Sequence, residues 1–135
     1  MAACKDKNDK NETVIDMDDP IIKQLDIKDF DGYNFRILTR KGMLAEQYVE
    51  EQTGDIINDA IYSRNATVEA LYNVKITATE TQASGANTEA ISTILAGDDA
   101  YDIILSHYRS SFSYATQELL VNYNDVICRI DIAFW

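Results

Sequence analysis

The most constraining feature of this sequence is the stretch from Leu95 to Ser106, because it combines a helix end, an apolar strand and a polar loop. Apolar residues at helical spacing lead into Gly97, which can adopt the left-handed backbone needed just past a helix end. Residues 101–105 follow as an apolar run interrupted only by Asp102, which is typical of a strand covered on both faces in a parallel sheet. The polar residues after the strand therefore lie where open α/β sheets bind their ligands.

Two further strands and three helices are predicted from periodicity, turn residues and caps. The strands are 33–39 and 74–79, and the helices run from Asp55 or Asn58 to Asn73, from 88 to 96 and from 110 to 120, the last capped by a serine. Residues 43–52 suit a strand or a helix equally. The apolar positions that indicate the first helix are Ile57, Ile61, Val68, Leu71 and Tyr72. This alternation predicts an α/β fold, a three-layer, mostly parallel sheet with flanking helices and right-handed crossovers.

Composition excludes several classes of function. The 135 residues carry a net charge of −11, which disfavours a nucleic-acid partner and the binding of a polybasic segment to an anionic membrane. No apolar run approaches the ~18 residues of a membrane span. A single histidine excludes a histidine-rich metal site, and Cys4 and Cys128 form no CxxC motif.

The first 29 residues have the composition of a leader and flexible tether, which leaves 30–135 as the folded domain. Residues 5–12 are polar, mixed in charge and aperiodic, so they cannot bury enough apolar surface to order themselves. Cys4 is either the lipid-carrying cysteine of a bacterial lipoprotein or an incidental cysteine. No basic and apolar signal segment precedes it, so a chain that truly starts at Met1 would stay in the cytoplasm.

Four segments carry a resemblance to a known family: 51–65, 68–76, 95–102 and 118–126. Together with Cys4 they resemble the amino-terminal lobe of bacterial extracellular solute-binding proteins, the lipoprotein receptors of ABC importers, most often sugar importers. The resemblance implies that 30–135 is a truncated lobe of a type II periplasmic-binding-protein fold. It also implies a non-enzymatic receptor without cofactor or metal, held outside the cell by a lipid anchor on Cys4. Its partners would be a carbohydrate or other small solute and an importer permease, and not nucleic acid.

In such a lobe, the solute is contacted by the loops that follow the first strand, 33–39, and the strand 101–105, which is expected to be central in the sheet. The expected ligand-binding residues are Thr39, Arg40, Ser106, His107, Tyr108 and Arg109. Tyr108 and Tyr114 are the candidate faces for stacking on a sugar ring. His107 is interpreted as a ligand contact rather than a general base, because no G-x-S-x-G nucleophile motif is present.

Two alternatives from other functional classes stay open. A flavodoxin-like enzyme domain would bind a phosphate or nucleotide at residues 39–42, although the glycine spacing of a phosphate loop is absent. A non-catalytic interaction module would use the apolar end Phe134–Trp135 as its contact surface.

Overall fold

The computed structural model describes residues 27–82 and 87–121, together with residues 18, 20 and 23. The described elements alternate between strand and helix, with one short 3-10 helix (Leu44–Glu46) after the first strand. They are β1 (Tyr33–Thr39), α1 (Ile56–Tyr72), β2 (Val74–Glu80), α2 (Asn87–Ala96), β3 (Ile103–Leu105) and α3 (Tyr108–Thr116).

The three described strands form one parallel sheet in the order β2-β1-β3. β1 pairs with β3 in a register that sets Ile37 opposite Ile103 and Thr39 opposite Leu105. The α/β class with flanking helices, as predicted from the sequence, is confirmed. Since β1 lies between the other two strands, the chain passes from β1 to β2 on one side and returns to β3 on the other.

The chain divides into two compact units, and each is described by itself. The first unit contains the residues up to 34 and 48–76, and the second contains 35–47 and the residues from 77 onward.

Within the first unit, local signals define both ends of α1 as the sequence predicts. The Asp55 side chain accepts hydrogen bonds from the Ile57 and Asn58 amides, each at 3.0 Å. Asn73 ends the helix in the left-handed conformation, at φ 49°. The residues before β1 are fastened to this helix end, because Phe30 N donates to the Tyr72 carbonyl at 2.9 Å.

The apolar positions of α1 are not its most buried ones. Ile57 is 71 % exposed and Val68 is 37 % exposed, whereas the buried residue of the helix is Asn65, at 8 %. The helical spacing is confirmed, and three of the five apolar positions, Ile61, Leu71 and Tyr72, are half-buried.

The core of the second unit is formed by Leu38 of β1, Ala90 of α2 and Tyr114 of α3. Four partly buried apolar side chains pack against this cluster, namely Ile91, Tyr101, Ile104 and Leu119. Among the described strands β1, and not β3 as predicted, is the central one, and the core joins it to the two helices of the unit.

Asp102, the polar exception in the central apolar run, pairs with Arg36 of β1. Its carboxylate accepts the Arg36 amide at 2.7 Å and the guanidinium at 3.1 Å, while its own amide donates to the Arg36 carbonyl at 2.9 Å. The same guanidinium also contacts Asp99, at 2.8 Å to the side chain. β3 therefore begins only at Ile103, and not at residue 101 as the sequence suggested. The expectation that it is covered on both faces is not met in the described part of the chain, where Ile103 is 41 % exposed.

The third helix differs from its predicted bounds of 110–120. His107, and not a serine, caps it, so α3 begins at Tyr108. It ends at Thr116 because Glu118 takes a positive φ of 56° and Leu119 N returns to the Tyr114 carbonyl at 3.0 Å. α2 ends as predicted, with Gly97 at φ 74°.

Candidate functional site

The candidate site is a cleft of about 210 Å³ at the carboxyl ends of β1 and β3, within the second unit. The register places Thr39 and Leu105 opposite each other at the ends of these two strands. Eight residues line the cleft: Thr39, Arg40, Met43, Glu46, Gln47, Leu105, Ser106 and His107. Four of the six residues predicted to bind a ligand are therefore brought together at one edge of the sheet.

Contacts to the end of β2 hold the loop that follows β1. The Thr39 carbonyl accepts the Thr81 amide at 3.0 Å, and the Gly42 amide donates to the Glu80 carboxylate at 2.8 Å. Thr39 itself is 1 % exposed, so the loop starts from a fixed, buried residue. Arg40 follows it at the cleft and forms no ion pair with any residue in the described ranges.

His107 connects the end of β3 to α3 and orients its own ring. Its Nδ1 accepts the Arg109 amide at 3.4 Å, and its carbonyl accepts the Ser110 and Ser111 amides at 2.8 and 3.1 Å. An acceptor at Nδ1 assigns the proton of the neutral ring to Nε2. His107 therefore offers a solute one N–H donor and is not arranged as a general base through Nδ1.

Ser106 and Ser111 form the hydroxyl pair beside this cap. Their Oγ atoms are 3.2 Å apart, and the Ser106 hydroxyl also reaches the His107 carbonyl at 3.3 Å. These contacts limit the rotation of the Ser106 side chain at the cleft, which reduces the entropy lost when it binds a ligand.

Tyr108 and Arg109, the other two predicted ligand residues, do not line the cleft. They lie in the first turn of α3, where Arg109 Nε donates to the Tyr108 hydroxyl at 3.1 Å. The Tyr108 ring packs on His107 with 4.4 Å between ring centroids and is 70 % exposed. These two residues therefore support His107 from outside the cleft.

Tyr114 is a core residue, and its expected role as a sugar-stacking face is wrong. It is 1 % exposed, and its hydroxyl forms no hydrogen bond with a residue of the described ranges. Burial raises the pKa of this hydroxyl above its ordinary value of 10.0. The nearby Ser106 hydroxyl offsets part of the rise, although the pair does not reach hydrogen-bond geometry.

The contacts around the cleft favour a neutral solute over a phosphate. The Gly42 amide is already bound by the Glu80 carboxylate, and α3 uses its first amides within its own cap. The lining carries one cation, Arg40, and one anion, Glu46, beside neutral hydroxyl, amide and imidazole groups. Within residues 27–82 and 87–121, no group of three potential metal ligands is close enough to hold an ion.

Sequence reasoning missed the part of the lining that comes from Met43, Glu46 and Gln47. These residues belong to the segment 43–52, which suited a strand or a helix equally and is partly a short 3-10 helix. Cys4, Cys128 and the Phe134–Trp135 end lie outside the described residues.

No helix of the described ranges is both long and apolar enough to cross a membrane. In comparisons with known proteins, no family model, no curated protein and no solved structure matches this chain.

Proposed function

We propose that this chain is a solute-binding receptor component of an ABC importer, and that the cleft between the ends of β1 and β3 holds a carbohydrate or similar neutral solute. The proposal treats residues 30–135 as part of one lobe of a type II periplasmic-binding-protein fold, without enzymatic activity. It rests on the sequence resemblance and on the position and chemistry of the cleft.

The observation that carries the proposal is the convergence of Thr39, Arg40, Ser106 and His107 on one cleft. These residues come from two loops that are 66 positions apart in sequence and meet because β1 and β3 are neighbours in the sheet. In doubly wound sheets, such a reversal of strand order leaves a crevice in which ligands bind.

The chemistry of the cleft fits a ligand with several hydroxyl groups. Arg40 and His107 supply N–H donors, Ser106 can donate or accept, and the Glu46 carboxylate accepts. The volume of about 210 Å³ is below the roughly 300–1,000 Å³ of clefts that enclose drug-sized ligands. The cleft therefore accommodates one sugar ring, or one end of a longer solute.

In the proposed mechanism, the solute bridges this cleft and a second lobe and shifts a hinge equilibrium toward the closed form. The importer permease then recognises the closed form. A lipid on Cys4 would keep the receptor at the outer face of the cell membrane, with the residues between Cys4 and Asp29 as the tether. This part of the proposal depends on the sequence resemblance alone.

Binding is tested by titrating the ¹⁵N-labelled 135-residue chain with monosaccharides and disaccharides and following the amide resonances. A single-lobe cleft is expected to bind with a dissociation constant on the order of 1 mM, which corresponds to about 4 kcal/mol. The amides of Gln47, Ser106 and His107 should shift in a saturable way.

A pair of variants makes the test specific. Arg40→Ala combined with Ser106→Ala should weaken binding by about tenfold or more, because it removes two hydrogen-bonding side chains from the cleft. Lys41→Ala is the matched control, since it removes a cationic group from the same loop at a residue that does not line the cleft, and it should change affinity by less than about twofold. Equal losses in both variants, or no saturable shift with any sugar, would contradict the proposal.

A further inference from the structure

β3 has the sequence of an interior strand but lies at the edge of the sheet that the structure describes. Its three residues, Ile103–Leu105, are all apolar, which is typical of a strand that is buried on both faces. In the order β2-β1-β3, only β1 borders it among the described strands, and Ile103 is 41 % exposed. An open apolar edge is a template for pairing with a further strand, and native proteins cover or block such edges.

A groove of about 380 Å³ lies beside β3, within the second unit. Most of its lining side chains are apolar or aromatic, namely Ile94, Tyr101, Ile103, Ile104, Tyr114, Leu119, Leu120 and Val121. Leu120 and Val121 are 44 % and 78 % exposed, so this part of the lining is only partly covered by the described residues. A segment that packs into the groove removes this apolar surface from water and thereby stabilises the unit.

The chain itself runs into this groove at the end of its described part. After α3 ends at Thr116, residues 119–121 line the groove, and Val121 is the last described residue. In a right-handed crossover, a strand and the helix that follows it are succeeded by a second strand parallel to the first. β3 and α3 are the first two parts of such a unit, and residue 121 leads toward the open edge of β3.

The sequence beyond Val121 contains one segment with the pattern of a strand. Asn124 and Asp125 are residues typical of a turn, and the segment 126–134 follows them. Its apolar residues alternate in the second part of the segment, at Cys128, Ile130, Ile132 and Phe134. Alternation with a period of two gives a strand one apolar face, which matches an apolar groove.

We propose that residues 126–134 dock on the open edge of β3 as a fourth, parallel strand and cover the groove with their apolar face. The five residues from Val121 to Val126 span up to about 17 Å, whereas neighbouring strands are only about 5 Å apart. A short covalent linker also gives the segment an effective concentration in the millimolar range. The edge of a second copy is a weaker occupant, because each chain carries a net charge of −11 and Asp98 lines the groove.

The docked strand makes β3 an interior strand and holds the start of the loop that carries Ser106 and His107. The inference concerns the fold, so it stands whether or not the cleft between the ends of β1 and β3 binds a solute.

Nuclear Overhauser contacts in the isotope-labelled 135-residue chain test the pairing directly. Contacts between the backbone protons of 126–134 and those of 103–105 are expected, and they should persist on dilution while sedimentation equilibrium gives the mass of a monomer. The absence of contacts between the two segments would overturn the proposal. Contacts that disappear on dilution together with a dimer mass would overturn it as well, because the occupant would then be a second copy.

The thiol of Cys128 supplies a second measurement in a Cys4→Ser background, where it is the single cysteine. A docked segment shields this thiol, so Ile130→Lys should raise its rate of reaction with Ellman's reagent by about tenfold or more, since a lysine is costly to bury on the apolar face. Ile57→Lys is the matched control, because Ile57 is 71 % exposed and lies outside the groove, and it should change the rate by less than about twofold.

Equal rates in the parent chain and in Ile130→Lys would contradict the docking of the segment. The circular dichroism spectrum of each variant establishes that it is folded before the rates are compared, and the Overhauser contacts of the parent chain decide the question if Ile130→Lys does not fold.

Discussion

Tyr114→Phe should stabilise the protein, although it removes a polar group from the centre of the second unit. The hydroxyl is buried and has no hydrogen-bond partner within the described residues. Leaving a buried polar group without a partner costs about 1–3 kcal/mol, and the nearby Ser106 hydroxyl recovers only part of this cost. Because phenylalanine keeps the ring that packs against Leu38 and Ala90, the expected gain in the free energy of unfolding is about 1 kcal/mol.

Urea unfolding followed by circular dichroism measures this gain. With a slope of about 1–3 kcal/mol/M, a gain of 1 kcal/mol raises the midpoint by about 0.3–1 M. Tyr62→Phe is the matched control, because Tyr62 is 37 % exposed and its hydroxyl has no partner among the described residues. It should change the free energy of unfolding by less than about 0.5 kcal/mol.

Alkaline pH supplies a second, independent measurement of the same hydroxyl. Since burial raises the pKa of Tyr114 above 10.0, folding favours the protonated phenol. The part of the free energy of unfolding that depends on a protonated Tyr114 phenol is fully present below pH 10.0 and is lost as the pH rises through the raised pKa. The advantage of Tyr114→Phe should therefore grow above pH 10.0. A lower midpoint for this variant at neutral pH, with an unchanged slope, would refute the reasoning and show that the hydroxyl forms a stabilising hydrogen bond.

Three further substitutions test the fold by the same urea measurement. Leu38→Ala should cost about 2–5 kcal/mol, since the side chain is fully buried, and a cost below 1 kcal/mol would contradict its place in the core. Gly97→Ala should cost about 1–2 kcal/mol, because an alanine is strained at the φ of 74° that this residue adopts. A steric clash adds nothing, since a Cβ there meets no atom within 4 Å, and an unchanged stability would refute the left-handed helix end. Hydrogen bonds from the Asp31 amide and the Asn73 side chain lower the pKa of Asp29 below 3.8. The stability that the ionised Asp29 carboxylate contributes is therefore present above pH 3.8 and is lost as the pH falls through the lowered pKa. Asp29→Asn should flatten this acid dependence, and an unchanged pH profile would contradict it.

Local signals in the sequence predicted most element boundaries correctly. The alternation of β1 gives its bounds of 33–39, and Asp55, Asn73 and Gly97 mark helix ends through their own side chains or backbone conformation. Each of these residues acts within a few positions of itself, so no knowledge of the tertiary structure is needed.

The burial of individual side chains was harder to predict, because it depends on residues far away in sequence. Asn65 is buried while Ile57 on the same helix is exposed, and Tyr114 enters the core instead of a binding surface. His107 caps α3 in place of a serine, because its backbone is extended and its Nδ1 accepts the Arg109 amide. Whether a given side chain is buried depends on the elements that pack against it, and a single sequence does not reveal which elements those are.

Four of the candidate site residues could be predicted because parallel strands carry their carboxyl ends to one edge. That rule needs only the order of elements, and it brought Thr39, Arg40, Ser106 and His107 together. It does not specify how far a loop extends along the following helix, so Tyr108 and Arg109 were included although they lie outside the cleft.

The ends of the three strands have different roles in the second unit, and strand order explains the difference. The end of β2 provides Thr81, whose amide binds the Thr39 carbonyl, and Glu80, whose carboxylate binds the Gly42 amide. Its polar groups are therefore used to hold the loop after β1. On the other side of β1, the ends of β1 and β3 lead into loops that diverge toward the short 3-10 helix and toward α3. The side chains of these two loops line the cleft, and the contacts from β2 hold the loop after β1, which is one wall of the cleft, in position.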